Sequence, residues 1–198
     1  EALQTILKKH SETVIGRWDA TGWLADREVL IIGAGPSINT NKEKIVNYIK
    51  TYNPAVLELN INNSIPSTLV TASVVSLQAR AIFDSLQYKE LDHPIILPIA
   101  RIKYLFNNSI SGLDIYDYGL AVEPETFEFQ SRGCRLHLPY TICYALAVAN
   151  QAGAKKISLI GFDGYPSNEP KQIDMDKIFS LYNGNKYTAP IFSLSPTT

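Results

Sequence analysis

The sequence predicts an α/β fold with a doubly wound, mainly parallel sheet and helices on both of its faces. Short apolar runs alternate with helical patterns along most of the chain, and the connections between them are short. Such alternation favours parallel strands that are joined by crossover helices. The apolar run at 29–32 contains no polar residue, which is typical of a strand buried on both faces.

The first strand and its turn lie in REVLIIGAGPS, residues 27–37. A helix is predicted over NTNKEKIVNYIKTY, residues 39–52, because its apolar residues line one face. Asn39, Thr40 or Asn41 is expected to cap the start of this helix, since short polar side chains accept hydrogen bonds from its free amides.

The middle of the chain continues the alternation less clearly. PAVLELNIN (54–62) predicts a second strand that ends in a cluster of asparagines, and STLVTASVVSL (67–77) predicts a third. A short helix is expected over 78–88 and a fourth strand in HPIILPIARI, residues 93–102. Residues 103–138 show no regular pattern.

The clearest unit comes last, in LPYTICYALAVANQAGAKKISLIGFDGY, residues 138–165. Pro139 is expected in the first turn of a helix, and Gly153 is expected to end that helix. A strand follows in KKISLIGFDG (155–164), and PIFSLSPTT (190–198) predicts one more short strand.

The 198 residues suit one domain with a buried core. Residues 1–24 are interpreted as an arm, or as a linker from a missing upstream domain, and residues 25–198 as the domain itself. A net charge of −1 disfavours nucleic acid and anionic membranes as partners. No apolar run reaches the roughly 18 residues that span a bilayer.

Cysteine and histidine usage predicts neither a disulfide framework nor a metal site. Cys134 and Cys143 match no CxxC or zinc spacing, and the chain has only three histidines. We therefore expect two reduced thiols and a cytoplasmic protein.

The glycine-rich turn after the first strand is the first candidate binding element. Gly33 and Gly35 carry no side chains, so backbone amides there could approach an anion closely, next to the positive end of the following helix. Pro36 belongs to the same turn, and Ser37 could donate its hydroxyl to the anion or cap the helix. The alternative is a tight turn without a ligand. The third glycine of the dinucleotide fingerprint is replaced by Ile38.

The second strand ends in an amide where dinucleotide enzymes have an acid. Glu58 lies inside this strand, and Asn60 ends it, with Asn62 close behind. An acid at this point would bind ribose hydroxyls, whereas amides suit a base edge or a ribose. This disfavours NAD and FAD and favours a mononucleotide or a nucleotide sugar; ordinary turn chemistry is the alternative reading of the asparagines.

Further polar residues follow the last strands. Asp163, between two glycines in IGFDGY, is predicted at the ligand edge, where it could bind a sugar hydroxyl or a metal-bound phosphate, or could simply cap a loop. Tyr165 could stack on a base or a sugar. Ser195 and Thr197 could complete the same pocket from the end of the chain.

Taken together, IIGAGPS, LELN, the 138–165 unit and the closing SLSPT resemble the Rossmann-like C-terminal domain that follows an aldolase-like barrel, of the hydroxymethylglutaryl-lyase or 4-hydroxy-2-oxovalerate aldolase type, in bacterial surface-polysaccharide proteins. The chain is also similar to sialyltransferase family 42 and to the archaeal pterin pyrophosphokinases. The first resemblance implies an upstream barrel as partner, and the second implies a CMP-type nucleotide or another nucleotide sugar.

The resemblance to the sialyltransferases implies roles for particular residues. The glycine turn and Asn60 would hold the nucleotide, together with the LPY segment that contains Pro139 and Tyr140, and with Asp163 and Tyr165. A catalytic histidine that follows the aspartate in that family has no counterpart, because all histidines of this chain precede residue 163.

Three functions stay open from the sequence. The first is a module that binds a nucleotide or a nucleotide sugar. The second is a glycosyltransferase or phosphotransferase that uses Asp163 as its catalytic residue. The third is a scaffold that has lost its ligand and serves oligomer assembly.

Overall fold

The computed structural model describes residues 15–102 and 112–195. Within these ranges the chain forms an α/β fold whose larger sheet has seven strands, all parallel, which confirms the predicted fold class. The strands of this sheet are β1 (Glu28–Ile32), β2 (Ala55–Leu59), β3 (Ala72–Val74), β4 (Ile95–Leu97), β5 (Ile115–Asp117), β9 (Lys156–Ile160) and β10 (Ile191–Ser193). Their spatial order is β10-β9-β1-β2-β3-β4-β5.

A second, smaller sheet has the order β6-β8-β7. Its strands are β6 (Gly119–Val122), β7 (Phe127–Gln130) and β8 (Gly133–Leu136). The β6–β8 pair is parallel and the β7–β8 pair antiparallel. This sheet accounts for much of the 103–138 region, where its short strands gave no readable pattern; residues 103–111 lie outside the described part of the chain.

The helices are α1 (Ser37–Tyr52), α2 (Gln78–Phe83), α3 (Ile99–Ile102), α4 (Thr141–Gln151) and α5 (Pro170–Gly184). The side chains of strand β1 are buried on both faces of the sheet. Val29 and Ile31 belong to the buried cluster that includes α4, whereas Leu30 and Ile32 belong to the cluster that includes α1. The alternating side chains of one strand therefore pack against helices on opposite faces.

Helix α4 is the centre of the larger core. Residues 141–150 are all buried, because α4 contacts β2 and β3 on one side and β7 and β8 of the small sheet on the other. The helix ends as predicted at Gly153, which has a φ of +84°. The Gly153 and Ala154 amides donate to the carbonyl oxygens of Asn150 and Ala149, each at 3.0 Å, in a Schellman motif.

Several boundaries differ from the prediction. The helix expected over 78–88 ends at Phe83, and Pro139, expected in the first turn of α4, precedes this helix, which begins at Thr141. The third strand is only Ala72–Val74 and follows a 3₁₀ turn at Ser67–Leu69. The fourth strand stops at Leu97, because Pro98 interrupts the ladder before α3 begins. The prediction of a cap at 39–41 is wrong, since α1 begins at Ser37 with Pro36 as its N-cap.

Residues 15–24 of the predicted arm pack as part of the domain. Ala20 and Leu24 are fully buried in the larger core. The Gly16 amide donates to the carbonyl oxygen of Arg132 at 2.7 Å, which ties this segment to the small sheet. In the described ranges, every helix is too short or too polar to cross a membrane.

Candidate functional site

The exits of β1 and β9 meet at the point where the sheet reverses its strand order. After β1 the chain adds β2 to β5 on one side, and it then returns to place β9 and β10 on the other side. Ligands of open parallel sheets collect at such a switch point, outside the carboxyl ends of the strands. A cavity of about 650 Å³ lies there. Its walls come from the loops after β1, β2 and β9, from the start of α4, and from α5.

The glycine turn after β1 is built against the backbone of the β9 exit. The amides of Gly33 and Gly35 donate to the carbonyl oxygens of Ile160 and Gly161, both at 2.9 Å. A Cβ atom at Gly33 would lie 2.5 Å from the Gly161 oxygen, so a side chain there would collide with backbone. The glycine at position 33 is thus required by this close approach, whether or not a ligand binds.

The carboxylate of Asp163 occupies the N-terminus of α1. Its Oδ2 accepts hydrogen bonds from the Ser37 amide at 3.3 Å and from the Ser37 hydroxyl at 3.0 Å. A Cβ atom at Gly35 would lie 1.9 Å from the same oxygen. The turn therefore does receive a negatively charged oxygen, as the glycine pattern suggests, but in this structure that oxygen comes from the protein itself.

The close contact between α1 and the sheet is made possible by Gly161, which follows β9, and not by a third glycine in the turn after β1. Ile38, in the first turn of α1, is buried, and its Cδ1 atom lies 2.4 Å from the position that a Cβ atom at Gly161 would occupy. In the dinucleotide fingerprint a glycine on the helix gives this close approach. Here the large residue is on the helix, and the glycine, with a φ of +79°, is on the β9 exit.

The two asparagines predicted at the site differ in their partners. The Asn62 side chain is committed to the fold, since Nδ2 donates to the Gly33 carbonyl oxygen at 3.0 Å and Oδ1 accepts from the Ser64 amide at 2.9 Å. Asn60 lines the cavity, and its Oδ1 is buried with no hydrogen-bond partner in the described part of the chain. Four other buried side-chain atoms of the described residues also lack a partner, but Asn60 is the one among these residues that lines the cavity.

The start of α4 forms the opposite wall of the cavity. Tyr140 and Thr141 line it, whereas Pro139 precedes the helix and its carbonyl oxygen accepts from the Ser76 hydroxyl at 2.7 Å. Thr141 Oγ1 lies 3.1 Å from Ser76 Oγ, which fixes the helix start to the exit of β3. No side-chain group caps α4, so its first amides are free in the described structure.

Helix α5 closes the cavity from the side and was not predicted from the sequence. Its apolar residues form no continuous stripe, although Pro170 in its first turn is a common start signal. The helix contributes cavity-lining residues that the sequence reading missed, namely Lys171, Gln172, Met175, Asp176 and Phe179. Gln172 holds the wall together, because it accepts from the Tyr165 amide at 3.1 Å and donates to Asp176 at 2.8 Å.

The Tyr140 hydroxyl connects α4 to α5. It donates to Asp174 Oδ2 at 2.5 Å. This hydrogen bond to a carboxylate, with some burial, raises the pKa of Tyr140 to about 12. Tyr140 is therefore a neutral hydrogen-bond donor at physiological pH. Tyr165, in the β9 exit, lies under the Lys171 ammonium, which is 5.5 Å from its ring centre.

Five predicted residues are not among the described residues that line the cavity. Ser37, Asn62 and Pro139 are bonded or adjacent to lining residues, whereas the other two belong to the end of the chain. Ser195 is buried beyond the end of β10 and is not among the residues that line the cavity. Thr197 lies outside the described residues. The structure therefore brings together the predicted residues of the β1, β2 and β9 exits and of the α4 start, but not the end of the chain.

A buried polar cluster next to the site was also missed by the sequence reading. The Ser73 hydroxyl donates to Glu58 Oε1 at 2.7 Å and lies 2.9 Å from His93 Nε2. All three residues are buried, and none of them lines the cavity. The cluster therefore links β2 and β3 to the segment just before β4.

The cavity has few charged groups. The carboxylates in its described lining are those of Asp163 and Asp176, the ammonium group is that of Lys171, and there is no histidine. The described residues also contain no group of three or more potential metal ligands. The arrangement can hold a small polar ligand, and its described lining offers the carboxylates of Asp163 and Asp176 as hydrogen-bond acceptors.

No protein-family model matches the chain, and no curated protein matches its sequence. Among solved structures, the mitochondrial ornithine carbamoyltransferase from Coccidioides immitis aligns with 13% sequence identity and a TM-score of 0.19. The alignment covers 90% of this chain, which spans 58% of the length of that enzyme. At this TM-score the similarity carries no conclusion about fold or activity.

Proposed function

We propose that the chain is a binding domain for a nucleotide or a nucleotide sugar, and that the ligand occupies the cavity between the β1, β2 and β9 exits. The observation that carries this proposal is the Asn60 side chain, whose buried Oδ1 has no partner among the described residues. A side-chain amide offers a donor and an acceptor side by side, which complements a base edge or a ribose. Leaving such a group unpaired is costly, and a ligand would remove the cost.

The dimensions of the cavity support a ligand of this size. About 650 Å³ lies within the range of roughly 300–1,000 Å³ found for small-molecule sites. The lining is largely apolar and aromatic with a few polar groups, as is usual for such sites. Tyr140, Tyr165 and Phe179 provide aromatic surface for a base or a sugar.

A phosphate of the ligand would lie at the start of α4. The free amides of this helix carry the positive end of its dipole, and Thr141 and Ile142 line the cavity. Lys171 is the cation among the described lining residues. The N-terminus of α1 is less suitable for the phosphate, because Asp163 fills it.

A binding module is favoured over a glycosyltransferase or phosphotransferase of the same fold. Transfer to a hydroxyl needs a base within hydrogen-bond reach, and the candidates in the described lining are the carboxylates of Asp163 and Asp176. Asp176 already accepts a hydrogen bond from Gln172. One oxygen of Asp163, the predicted catalytic residue, already accepts a hydrogen bond from Ser37.

We extend the proposal, on the resemblance alone, to an upstream aldolase-like barrel in a longer protein. A cytoplasmic setting belongs to the same proposal and is supported by the free, buried Cys134 and Cys143.

The test is a thermal-shift and calorimetric panel of CMP, CDP, UDP, GDP, ATP, NAD and nucleotide sugars. A ligand at a hundredfold excess over its dissociation constant should stabilise the chain by about 2.7 kcal/mol. Stabilisation by none of these compounds would contradict the proposal and favour the scaffold function.

The matched variants are Asn60→Gly and Asn63→Gly. Both asparagines have a left-handed backbone, with φ of 59° and 53°, so glycine replaces each without strain. Only Asn60 lines the cavity. We expect Asn60→Gly to weaken binding by roughly 1–3 kcal/mol, about five- to 150-fold. Asn63→Gly should leave binding unchanged. Equal affinities of the two variants would place the ligand elsewhere.

A further inference from the structure

The carboxylate of Asp163 stands where a phosphate stands in dinucleotide-binding turns. Helix α1 has no acidic residue in its first turn and no side-chain cap of its own. Its positive end is instead satisfied by a residue that lies 126 positions later in the chain, through the Ser37 amide and hydroxyl. The dipole of a helix makes such a position favourable for any anion.

The turn is shaped around this carboxylate. A Cβ atom at Gly35 would lie 1.9 Å from Asp163 Oδ2 and 2.7 Å from the Gly161 carbonyl oxygen, so a side chain at position 35 would exclude the carboxylate. The Gly33, Gly35 and Ile38 amides donate to backbone carbonyl oxygens. The Ser37 amide donates to Asp163, so most backbone amides of the turn already have an acceptor within the protein.

Asp163 also lines the cavity. Its second oxygen, Oδ1, accepts no hydrogen bond from the residues that the structure describes, whereas Oδ2 accepts two. A carboxylate with one oxygen fixed and the other free is a strong acceptor for hydroxyl groups and repels a second anion. In dinucleotide enzymes an acid at the end of the second strand performs this task for the ribose.

We propose that Asp163 is a specificity-determining residue of the cavity: it excludes phosphate from the N-terminus of α1 and binds vicinal hydroxyls of a sugar or ribose through Oδ1. This inference deepens the proposed function and rests on it for the identity of the sugar-bearing ligand. The exclusion of phosphate depends only on the hydrogen bonds to Ser37. The ligand therefore lies with its hydroxyls toward β9 and with any phosphate toward α4.

The first experiment tests the exclusion with inorganic phosphate as the probe. The Ser37 amide resonance is followed by NMR during a phosphate titration of the chain and of its Asp163→Ala and Asp176→Ala variants. We expect Asp163→Ala to bind phosphate at the Ser37 amide at least about tenfold more tightly than the other two chains do. Asp176→Ala is the matched control, because it removes a cavity carboxylate that does not contact Ser37.

Three outcomes of this titration would overturn the proposal. The first is a saturable shift of the Ser37 amide in the unsubstituted chain that equals that in Asp163→Ala. The second is an equal gain in Asp176→Ala, which would show that cavity charge, and not the position of the carboxylate, controls phosphate binding. The third is the absence of any shift in a folded Asp163→Ala chain.

The second experiment tests the hydroxyl contact and uses Asp163→Asn, which keeps the shape of the side chain in case Asp163→Ala does not fold. Calorimetry compares a ribonucleoside with its 2′,3′-dideoxy form. The unsubstituted chain should prefer the ribonucleoside by at least about tenfold, and Asp163→Asn should lose most of this preference. An unchanged preference in the variant would refute the contact. If no nucleotide or nucleoside binds the unsubstituted chain, the proposed function fails, while the phosphate titration still decides the exclusion by Asp163.

Discussion

Replacing Gly35 by alanine should destabilise the chain strongly, because the space beside this residue is already filled. The added Cβ would lie 1.9 Å from Asp163 Oδ2, 2.7 Å from the Gly161 carbonyl oxygen and 2.9 Å from the Gly161 carbonyl carbon. Side chains can rotate away, but two of these three atoms belong to the backbone of the β9 exit. The β1 and β9 exits must therefore separate.

The expected loss follows from two contributions. Overpacking of a tight site costs about 1–3 kcal/mol. Moving Asp163 away from Ser37 breaks hydrogen bonds to a charged group, at about 1.5–3 kcal/mol. We expect Gly35→Ala to lower the free energy of unfolding by roughly 3–5 kcal/mol in total.

The assay is urea unfolding followed by tryptophan fluorescence. Both tryptophans of the chain, Trp18 and Trp23, pack together at the edge of the larger core with ring centres 5.2 Å apart, so their emission should change on unfolding. Gly184→Ala is the control, because no described atom outside its own helix backbone and its two chain neighbours lies within 4 Å of its Cβ position. This control should stay within about 1 kcal/mol of the unsubstituted chain.

An unfolding midpoint of Gly35→Ala equal to that of Gly184→Ala would refute the packing argument. A double-mutant cycle then identifies the cause of the loss. In an Asp163→Ala background the closest contact is gone, so Gly35→Ala should cost less by at least about 1 kcal/mol. The contacts with Gly161 persist, and the cost should not vanish.

Two further predictions concern pH. Burial would raise the pKa of Glu28, but hydrogen bonds from groups that include Ser158 and Lys156 outweigh it and hold this pKa below its usual value. Glu28 therefore stabilises the fold at pH values above its pKa in the unfolded chain, so Glu28→Gln should destabilise the chain by about 1–3 kcal/mol at neutral pH. The difference in urea midpoint between the variant and the unsubstituted chain should shrink below about pH 4. A constant difference down to pH 2 would contradict this. Because the pKa of Tyr140 is raised to about 12, its hydrogen bond to Asp174 should stabilise the fold up to about pH 10 and be lost as the pH approaches 12. Ultraviolet difference titration against Tyr140→Phe measures this pKa, which should fall in Asp174→Asn; an unchanged value there would exclude the hydrogen bond as its cause.

The fold class could be predicted from the sequence because local pattern and tertiary environment agree in the strongest elements. The continuous apolar run of β1 reflects burial on both faces, and helix α4 with Gly153 at its end has a strong local signal. The small sheet and α5 could not be predicted in this way. The small sheet packs against both α4 and α5, as when Phe127 of β7 meets Tyr182 of α5 edge to face at 5.2 Å, and such contacts leave little periodicity in the sequence.

The candidate site was predicted in its position but not in its internal contacts. Strand exits with glycine, asparagine and aspartate mark the carboxyl edge of a sheet, and the exits of β1, β2 and β9 do line one cavity. The hydrogen bonds between Ser37 and Asp163 depend on the adjacency of β1 and β9, which lie far apart in the chain. The lining residues of α5 were missed for the same reason, because sequence distance conceals which elements become neighbours.

The pairing of Ile38 with Gly161 has a consequence for how substitutions combine. The two positions share one volume, with Ile38 Cδ1 2.4 Å from the Cβ position of Gly161, so a larger residue at 161 requires a smaller one at 38. Shortening Ile38 would relieve only this collision. Gly161 also has a φ of +79°, a conformation that other residues adopt at a cost, so a second-site change on the helix would rescue such a substitution only in part.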